Sequence, residues 1–93
     1  MDASPNALLS SAAPLTTQET AVLQVFLDCQ GRVVSRAELA RRAGLNGLNS
    51  RRCDSLLVAI RRVLGPESIR TVRSRGWMLQ PAAVDDARRV IAA

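Results

Sequence analysis

The sequence predicts a mainly helical domain that closes with a β-hairpin. Three segments with apolar residues at helical spacing follow one another between residues 16 and 64, each beginning at a polar residue able to cap a helix. A Gly-Pro pair at 65–66 ends the last of them, and two short runs of strand-forming residues follow around a turn at 74–76. At 93 residues and 47% hydrophobic, the chain is long enough for one small packed domain.

The first helix is predicted to begin at the sequence Thr16-Thr17-Gln18-Glu19. This has the form of a capping box, in which the threonine hydroxyl accepts from the amide three residues on and the glutamate reaches back. Apolar residues then fall on one face up to about Cys29. The preceding residues, 1–14, are small, polar and bounded by proline, and they are predicted to be a flexible N-terminal segment.

The second and third helices are predicted from similar signals. Ser35 begins a short helix, and Glu38 completes a second capping box there. An Asn-Gly turn leads to the third helix, about residues 50–64, for which Ser50 is the predicted N-cap. Four apolar residues of this helix recur at i, i+4, i+7 and i+11 and form a continuous core stripe: Cys53, Leu57, Ile60 and Leu64.

A β-hairpin is predicted between residues 68 and 81. Ile69 and Thr71 favour the first strand, Ser74-Arg75-Gly76 holds the turn, and Trp77 begins the return strand. Helix, helix, helix and hairpin in this order describe a helix-turn-helix followed by a wing. We therefore predict a winged helix-turn-helix domain over residues 15–81, followed at 82–93 by a tail or a weak C-terminal helix.

Positive charge is concentrated in the middle of the chain. The formal net charge is +5, and residues 32–75 hold eleven arginines against three acidic residues, whereas residues 1–31 hold three acidic residues and no base. This distribution favours a polyanionic partner, with a merely solvated basic surface as the alternative. Every basic residue is arginine, whose fork matches phosphate oxygens and guanine edges, although codon bias would equally explain the absence of lysine.

The composition argues against catalysis. The chain has no histidine, which excludes imidazole acid–base chemistry and histidine metal ligation, and it shows no pair of catalytic carboxylates. Cys29 and Cys53 are too far apart for a metal-binding motif and are predicted to be buried free thiols. We therefore expect no enzyme, no catalytic residue, no metal and no cofactor. Since no apolar run reaches about 18 residues and no secretory signal is evident, we expect a cytoplasmic protein without a membrane partner.

Four segments occur in the order and near the spacing of a known family: LTTQETAVLQVFL, GRVVSRAEL, D-x-x-L-x-x-I-R-R-V-L-G from Asp54 to Gly65, and IRTVRSRGWML. In these segments residues 15–80 resemble the winged-helix DNA-binding domain of OmpR/PhoB-type response regulators. The resemblance implies that the third helix, about 50–64, lies in the major groove of double-stranded DNA. It also implies that the wing, 69–79, contacts the minor groove, and that the domain regulates transcription.

The resemblance also implies site residues. It places Arg51 and Arg52 at the start of the recognition helix, Arg61 late in it, Thr71 on a phosphate and Arg73 in the minor groove. Ser55, Arg62 and Arg75 are added from their positions on the third helix and at the hairpin tip. Unpaired amides at a helix N-terminus already favour phosphate, and the narrow minor groove attracts arginine. The alternatives are a solvated face for the late helix arginines, and for the hairpin arginines a charged edge that blocks aggregation.

Departures from the family raise a second function. By the resemblance, Leu56, Val58 and Ala59 occupy outward positions where the family often has histidine or arginine, although the helical spacing also lets Leu56 widen the core stripe. They could contact thymine methyls, pack on a partner, or reflect weak specificity. The alternative function is therefore a winged-helix protein-interaction module that binds a transcription-machinery or regulatory partner through this apolar face.

Other departures concern partners and the wing. The loop between the second and third helices is shorter than usual and lacks tryptophan and acidic residues, which puts the family's contact with RNA polymerase in doubt. Ser74 stands where the family has glycine, and Trp77, in place of tyrosine, either anchors the wing or stacks on a base. The 93 residues hold no segment resembling a receiver domain, and we expect the chain to be a fragment, a stand-alone module or a protein regulated through a partner. The family often binds direct repeats as tandem dimers, which leaves a dimer on DNA open.

Overall fold

Four α-helices and one hairpin make up residues 15–92, the part of the chain that this computed structural model describes. In chain order they are α1 (Thr17–Asp28), α2 (Arg36–Ala43), α3 (Ser50–Leu64), β1 (Ile69–Val72), β2 (Gly76–Leu79) and α4 (Val84–Ala92), with a 3₁₀ turn at Pro81–Ala83 before α4. The predicted flexible segment 1–14 lies outside the described residues. The mainly helical prediction with a hairpin on the C-terminal side is confirmed.

The capping box predicted for α1 is complete. The amide of Glu19 donates to Thr16 Oγ1 at 3.1 Å, and the amide of Thr16 donates to Glu19 Oε1 at 2.9 Å. The N-cap prediction for α3 was wrong by one residue, because Asn49 Oδ1 accepts from the amide of Arg52 at 2.8 Å and Ser50 is already helical. Asparagine and serine cap helices about equally well, so composition alone does not choose between them.

Only half of the second predicted capping box forms. Ser35 Oγ accepts from the amide of Glu38 at 3.1 Å, as expected. The Glu38 carboxylate, however, accepts from both nitrogens of the Arg32 fork at 2.8 and 3.2 Å and from Arg42 Nε at 2.8 Å. Charge-assisted bonds to two guanidiniums are stronger than one bond to a neutral amide, which explains why the carboxylate turns away from Ser35.

These arginines lower the pKa of Glu38 from its ordinary value of 4.5 to about 2, chiefly through the hydrogen bond from Arg32. Because the pKa is depressed in the folded state, the unfolded chain binds more protons between these two values. We expect the stability that Glu38 contributes to be fully present above pH 4.5 and to be lost as the pH falls toward about 2. Melting temperatures of wild type and Glu38→Gln, measured across this range, should converge at the acid end; a constant gap would contradict the assignment.

The core lies where α3 crosses α1. Of the predicted α3 stripe, Cys53, Leu57 and Ile60 are at most 1% exposed, and Leu64 is half-buried at its edge. They pack in one cluster with Leu23 and Phe26 of α1, among other residues. Each such aliphatic or aromatic side chain contributes about 1.5–3 kcal/mol through burial, so this cluster fixes how α3 is oriented.

The segment after the hairpin is helical and joins the same core. Helix α4 packs against α1, and Ala87 is completely buried at their contact. Ala83, in the preceding 3₁₀ turn, is buried as well, and Val90 and Ile91 cover the cluster from outside. Of the two forms expected for residues 82–93, the described residues up to 92 adopt the helical one.

The hairpin is tied to the chain that precedes α2. Strands β1 and β2 pair antiparallel, from Ile69 opposite Leu79 to Val72 opposite Gly76. On the other side of β2, the amide of Val34 donates to Trp77 O at 2.7 Å and the amide of Trp77 donates to Val34 O at 3.0 Å. The wing is therefore bonded to the helix-turn-helix, and the winged helix-turn-helix prediction is confirmed.

Two residues shape the wing turn. The amide of Arg75 donates to Val72 O at 2.9 Å, and Ser74 takes the left-handed conformation, with φ of 64°, that a glycine would adopt more easily. Gly76 has φ of 144°, and a Cβ placed on it would lie 2.1 Å from Val34 O. Only glycine therefore allows the two backbones to approach this closely at the base of the turn.

Candidate nucleic-acid interface

The exposed side of α3 lies opposite the core; besides Ser50, Arg52 and Asp54 near its start, it carries one continuous stripe. Arg51, Ser55, Val58 and Arg62 recur at i, i+4, i+7 and i+11 and are all exposed. We call these four residues the reading face. It combines two guanidiniums, one hydroxyl and one branched apolar side chain, which together can donate hydrogen bonds to base edges and contact methyl groups.

The structure corrects the predicted apolar partner surface. Leu56 is 1% exposed and belongs to the core, because it lies three residues after Cys53 and one before Leu57, on the buried side of the helix. Ala59 is half-buried, whereas Val58 is 54% exposed. Val58 is the only large hydrophobic residue exposed in the region 15–92, and a single exposed valine does not form a patch.

The start of α3 gathers three arginines of different orientation. Arg51 is exposed on the reading face, whereas the guanidinium of Arg52 donates to Gln18 on α1. Arg36, at the start of α2, donates to the Ser50 hydroxyl. Sequence reasoning did not single out Arg36 as a site residue, and only its position within the basic segment could have indicated it.

The wing carries its charge at the tip. Arg73 and Arg75 are both exposed there. Arg70, which lies on β1 away from the tip, is exposed as well. The wing and the starts of α2 and α3 enclose an open cleft of about 370 Å³. Its lining residues include Arg36, Ser50, Asp54, Thr71, Arg75 and Trp77. The structure thus brings the beginning of the predicted recognition helix and the tip of the predicted wing to the two sides of one cleft.

Arg61 differs from the other predicted site residues. Its Nε and Nη2 donate to the carbonyl oxygen of Ile69 at 3.0 and 2.7 Å, and Nη2 also donates to Thr71 Oγ1 at 3.1 Å. The side chain is half-buried and lies along β1. Its neighbour Arg62 is exposed on the reading face. The sequence, which shows two adjacent arginines, could not distinguish them.

The cysteines lie away from this surface. Cys29 and Cys53 are free and buried, as predicted, and burial raises the pKa of the Cys53 thiol. Cys29 Sγ accepts a hydrogen bond from Arg32 at 3.0 Å. Within residues 15–92, no group of acidic or cysteine side chains could hold a metal ion. None of the helices described is long and apolar enough to cross a membrane.

A basic exposed helix face beside a hairpin with arginines at its tip is the arrangement of the winged helix-turn-helix class of domains. The family model described as "Transcriptional regulatory protein, C terminal" matches residues 10–79. The chain belongs to this family of OmpR/PhoB-type DNA-binding domains, and it is a DNA-binding transcriptional regulator domain. The resemblance found in the sequence is confirmed. Searches of curated proteins and of solved structures gave no match.

Proposed function

We propose that the domain binds operator DNA sequence-specifically in the cytoplasm, with α3 in the major groove and the wing, 69–79, on the adjacent minor groove. The observation that supports this most directly is the reading face, which is exposed along α3 while the opposite side of the same helix is core. The major groove, about 12 Å wide, admits an α-helix, and a reading face of this composition would meet base edges there.

The proposal gives the members of the reading face different tasks. Arg51 and Arg62 would donate to guanine edges or phosphates, and Ser55 would bond either type of base. Val58, between them, would contact a thymine methyl, the one apolar group that base pairs present in the major groove. Arg52 would contact a phosphate near the helix N-terminus after leaving Gln18.

The wing would act on the neighbouring backbone and minor groove. Arg73 and Arg75 at the tip would enter the narrow groove, where the negative potential is strongest. Thr71 Oγ1 accepts from Arg61, so the hydroxyl proton of Thr71 remains free to donate to a phosphate oxygen. The wing would thus make one hydrogen bond to a phosphate, from Thr71, and two charged contacts in the minor groove, from Arg73 and Arg75.

An amide NMR titration with a generic duplex of about 20 base pairs, at about 50 and then 200 mM salt, tests the proposal. Shifts at residues 51–62 and 71–76 that fade with salt would support it, because neutralising phosphates releases counterions. Selection from a randomised duplex pool would then give the operator. No shift at low salt would contradict DNA binding, and a pull-down for protein partners would follow.

Arg73→Ala is expected to weaken DNA binding about ten-fold, since it removes a charge-assisted contact. The slope of log affinity against log salt should become shallower by about 0.9, the contribution of one neutralised phosphate. Fluorescence anisotropy over a salt series measures both quantities. Arg88→Ala, an exposed arginine of α4, removes the same charge away from the cleft and serves as the control. Equal effects of the two variants would refute the wing contact.

No observation in the structure favours the protein-interaction alternative, because Leu56 lies in the core and Val58 stands alone. A contact with RNA polymerase or another regulatory protein and a tandem arrangement on direct repeats belong to the proposal only through the family. The number of domains bound per selected duplex, measured by sedimentation, tests the tandem arrangement. One domain on a duplex with two half-sites would contradict it.

A further inference from the structure

We propose that Arg61 is a positioning residue that holds the wing against α3 and orients Thr71, whereas its neighbour Arg62 meets DNA directly. The inference rests on the proposed function. It assigns to Arg61 a role other than the direct DNA contact that the family resemblance implies for that position. The three hydrogen bonds from Arg61 to the first strand of the wing carry it.

Among residues 15–92, no strand pairs with the edge of β1 that faces away from β2. Gln80 N–H donates to Ser68 O at 2.8 Å, which fixes the residues of β1 that bond to β2 as Arg70 and Val72. The carbonyl groups of Ile69 and Thr71 therefore point away from β2. Ile69 is 1% exposed, so its carbonyl oxygen would lose hydration without gaining a bond unless another group reached it.

Arg61 supplies that group. Two nitrogens of its planar guanidinium donate to Ile69 O. Arg61 thus gives this edge of β1 a hydrogen-bond partner on α3, in the place where a neighbouring strand would otherwise supply one. The opposite edge of the hairpin is bonded by Val34. Both sides of the wing are thus attached to the helix-turn-helix, one through backbone and the other through a single side chain.

The contact with Thr71 links this attachment to DNA. Because Nη2 of Arg61 donates to Thr71 Oγ1, the threonine hydroxyl is held with its own proton directed elsewhere. Arg61 therefore fixes both where the wing stands and which group Thr71 offers to a phosphate. Replacing Arg61 would therefore weaken the contacts of the wing with DNA, although Arg61 itself does not touch the DNA.

A thermodynamic cycle tests the inference on the 93-residue chain. Affinity for a duplex selected by the wild type is measured for Arg61→Ala in two backgrounds, wild type and Thr71→Ala/Arg73→Ala. We expect a loss of about ten-fold in the first background and less than about two-fold in the second, because the wing contacts are already gone. Arg62→Ala, with the same change in charge, should cost the same factor in both backgrounds.

A second arm needs no DNA. Arg61→Lys keeps the positive charge but loses the two-pronged guanidinium. We expect the backbone amides of Arg70 and Val72 to exchange with solvent about ten-fold faster in this variant than in the wild type. The control variant Arg62→Lys should show no such change. Arg61→Lys also replaces Arg61→Ala in the cycle if the alanine variant does not fold.

Three results would overturn the inference: equal losses for Arg61→Ala in both backgrounds, wild-type affinity in Arg61→Lys, or unchanged exchange at Arg70 and Val72. If the wild type binds no duplex, the proposed function fails instead, and the exchange arm alone decides whether Arg61 holds the wing. The two failures are therefore distinguishable.

Discussion

Gly76→Ala is expected to lower the melting temperature of the domain by at least about 10 °C. The added Cβ would lie 2.1 Å from Val34 O and 2.7 Å from Val34 C, so backbone must move and the β2–Val34 bonds must lengthen. The φ of 144° adds strain for any side chain. Overpacking and backbone strain each cost about 1–3 kcal/mol, and one kcal/mol shifts the melting temperature of so small a domain by about 4–8 °C.

The chain offers a matched control for this substitution. Gly47 also has a positive φ, 71°, but a Cβ there would meet nothing within 4 Å. Gly47→Ala should therefore show the conformational cost alone, about 1 kcal/mol, without the clash. Thermal unfolding followed by circular dichroism measures both variants. If Gly76→Ala loses no more stability than Gly47→Ala, the close approach of β2 to Val34 is not what requires glycine.

Leu56→Glu is expected to leave the domain largely unfolded at 25 °C. Leu56 is 1% exposed in the main core cluster, so the new carboxylate would be buried without a partner or would have to disrupt the packing of α3 on α1. An unpaired buried charge costs several kcal/mol, against a total stability of roughly 5–15 kcal/mol for domains in general. Circular dichroism and the dispersion of amide NMR signals report the loss.

Val58→Glu is the control, because it places the same charge two residues away at a side chain that is 54% exposed. This variant should fold normally while DNA binding falls, since a carboxylate on the reading face repels phosphate. A folded Leu56→Glu that had lost a protein partner would contradict the burial of Leu56 and revive the interaction-module hypothesis.

Local signals in the sequence were sufficient to predict most of the fold. The capping box at Thr16 and the four-residue core stripe of α3 both depend on residues within a few turns of one another. The same spacing places Leu56 beside this stripe, whereas the family position predicts an outward side chain, and the structure agrees with the spacing.

Most of the features that could not be predicted from the sequence depend on contacts with residues elsewhere in the chain. Arg61 and Arg62 are equivalent by composition, and only the hydrogen-bond pattern of β1 makes one of them bond Ile69 O. The requirement for glycine at 76 likewise arises from Val34, which lies far away in the chain. Glu38 is a different case, because Arg32, Arg42 and the amide of Ser35 are all close to it in the chain, and the sequence does not show which of them the carboxylate bonds.

The bridge between Val34 and Trp77 joins residues 43 positions apart, on either side of the whole helix-turn-helix. The hairpin is therefore not an autonomous local unit, since one of its strands is completed by the segment that leads into α2. The Val34–Trp77 bridge can form only once the long loop that contains α2 and α3 has closed, so we expect the complete wing to form late in folding. The wing and α3 are thus expected to form and melt together in one cooperative transition, so that the domain presents both of the elements proposed to face DNA or neither.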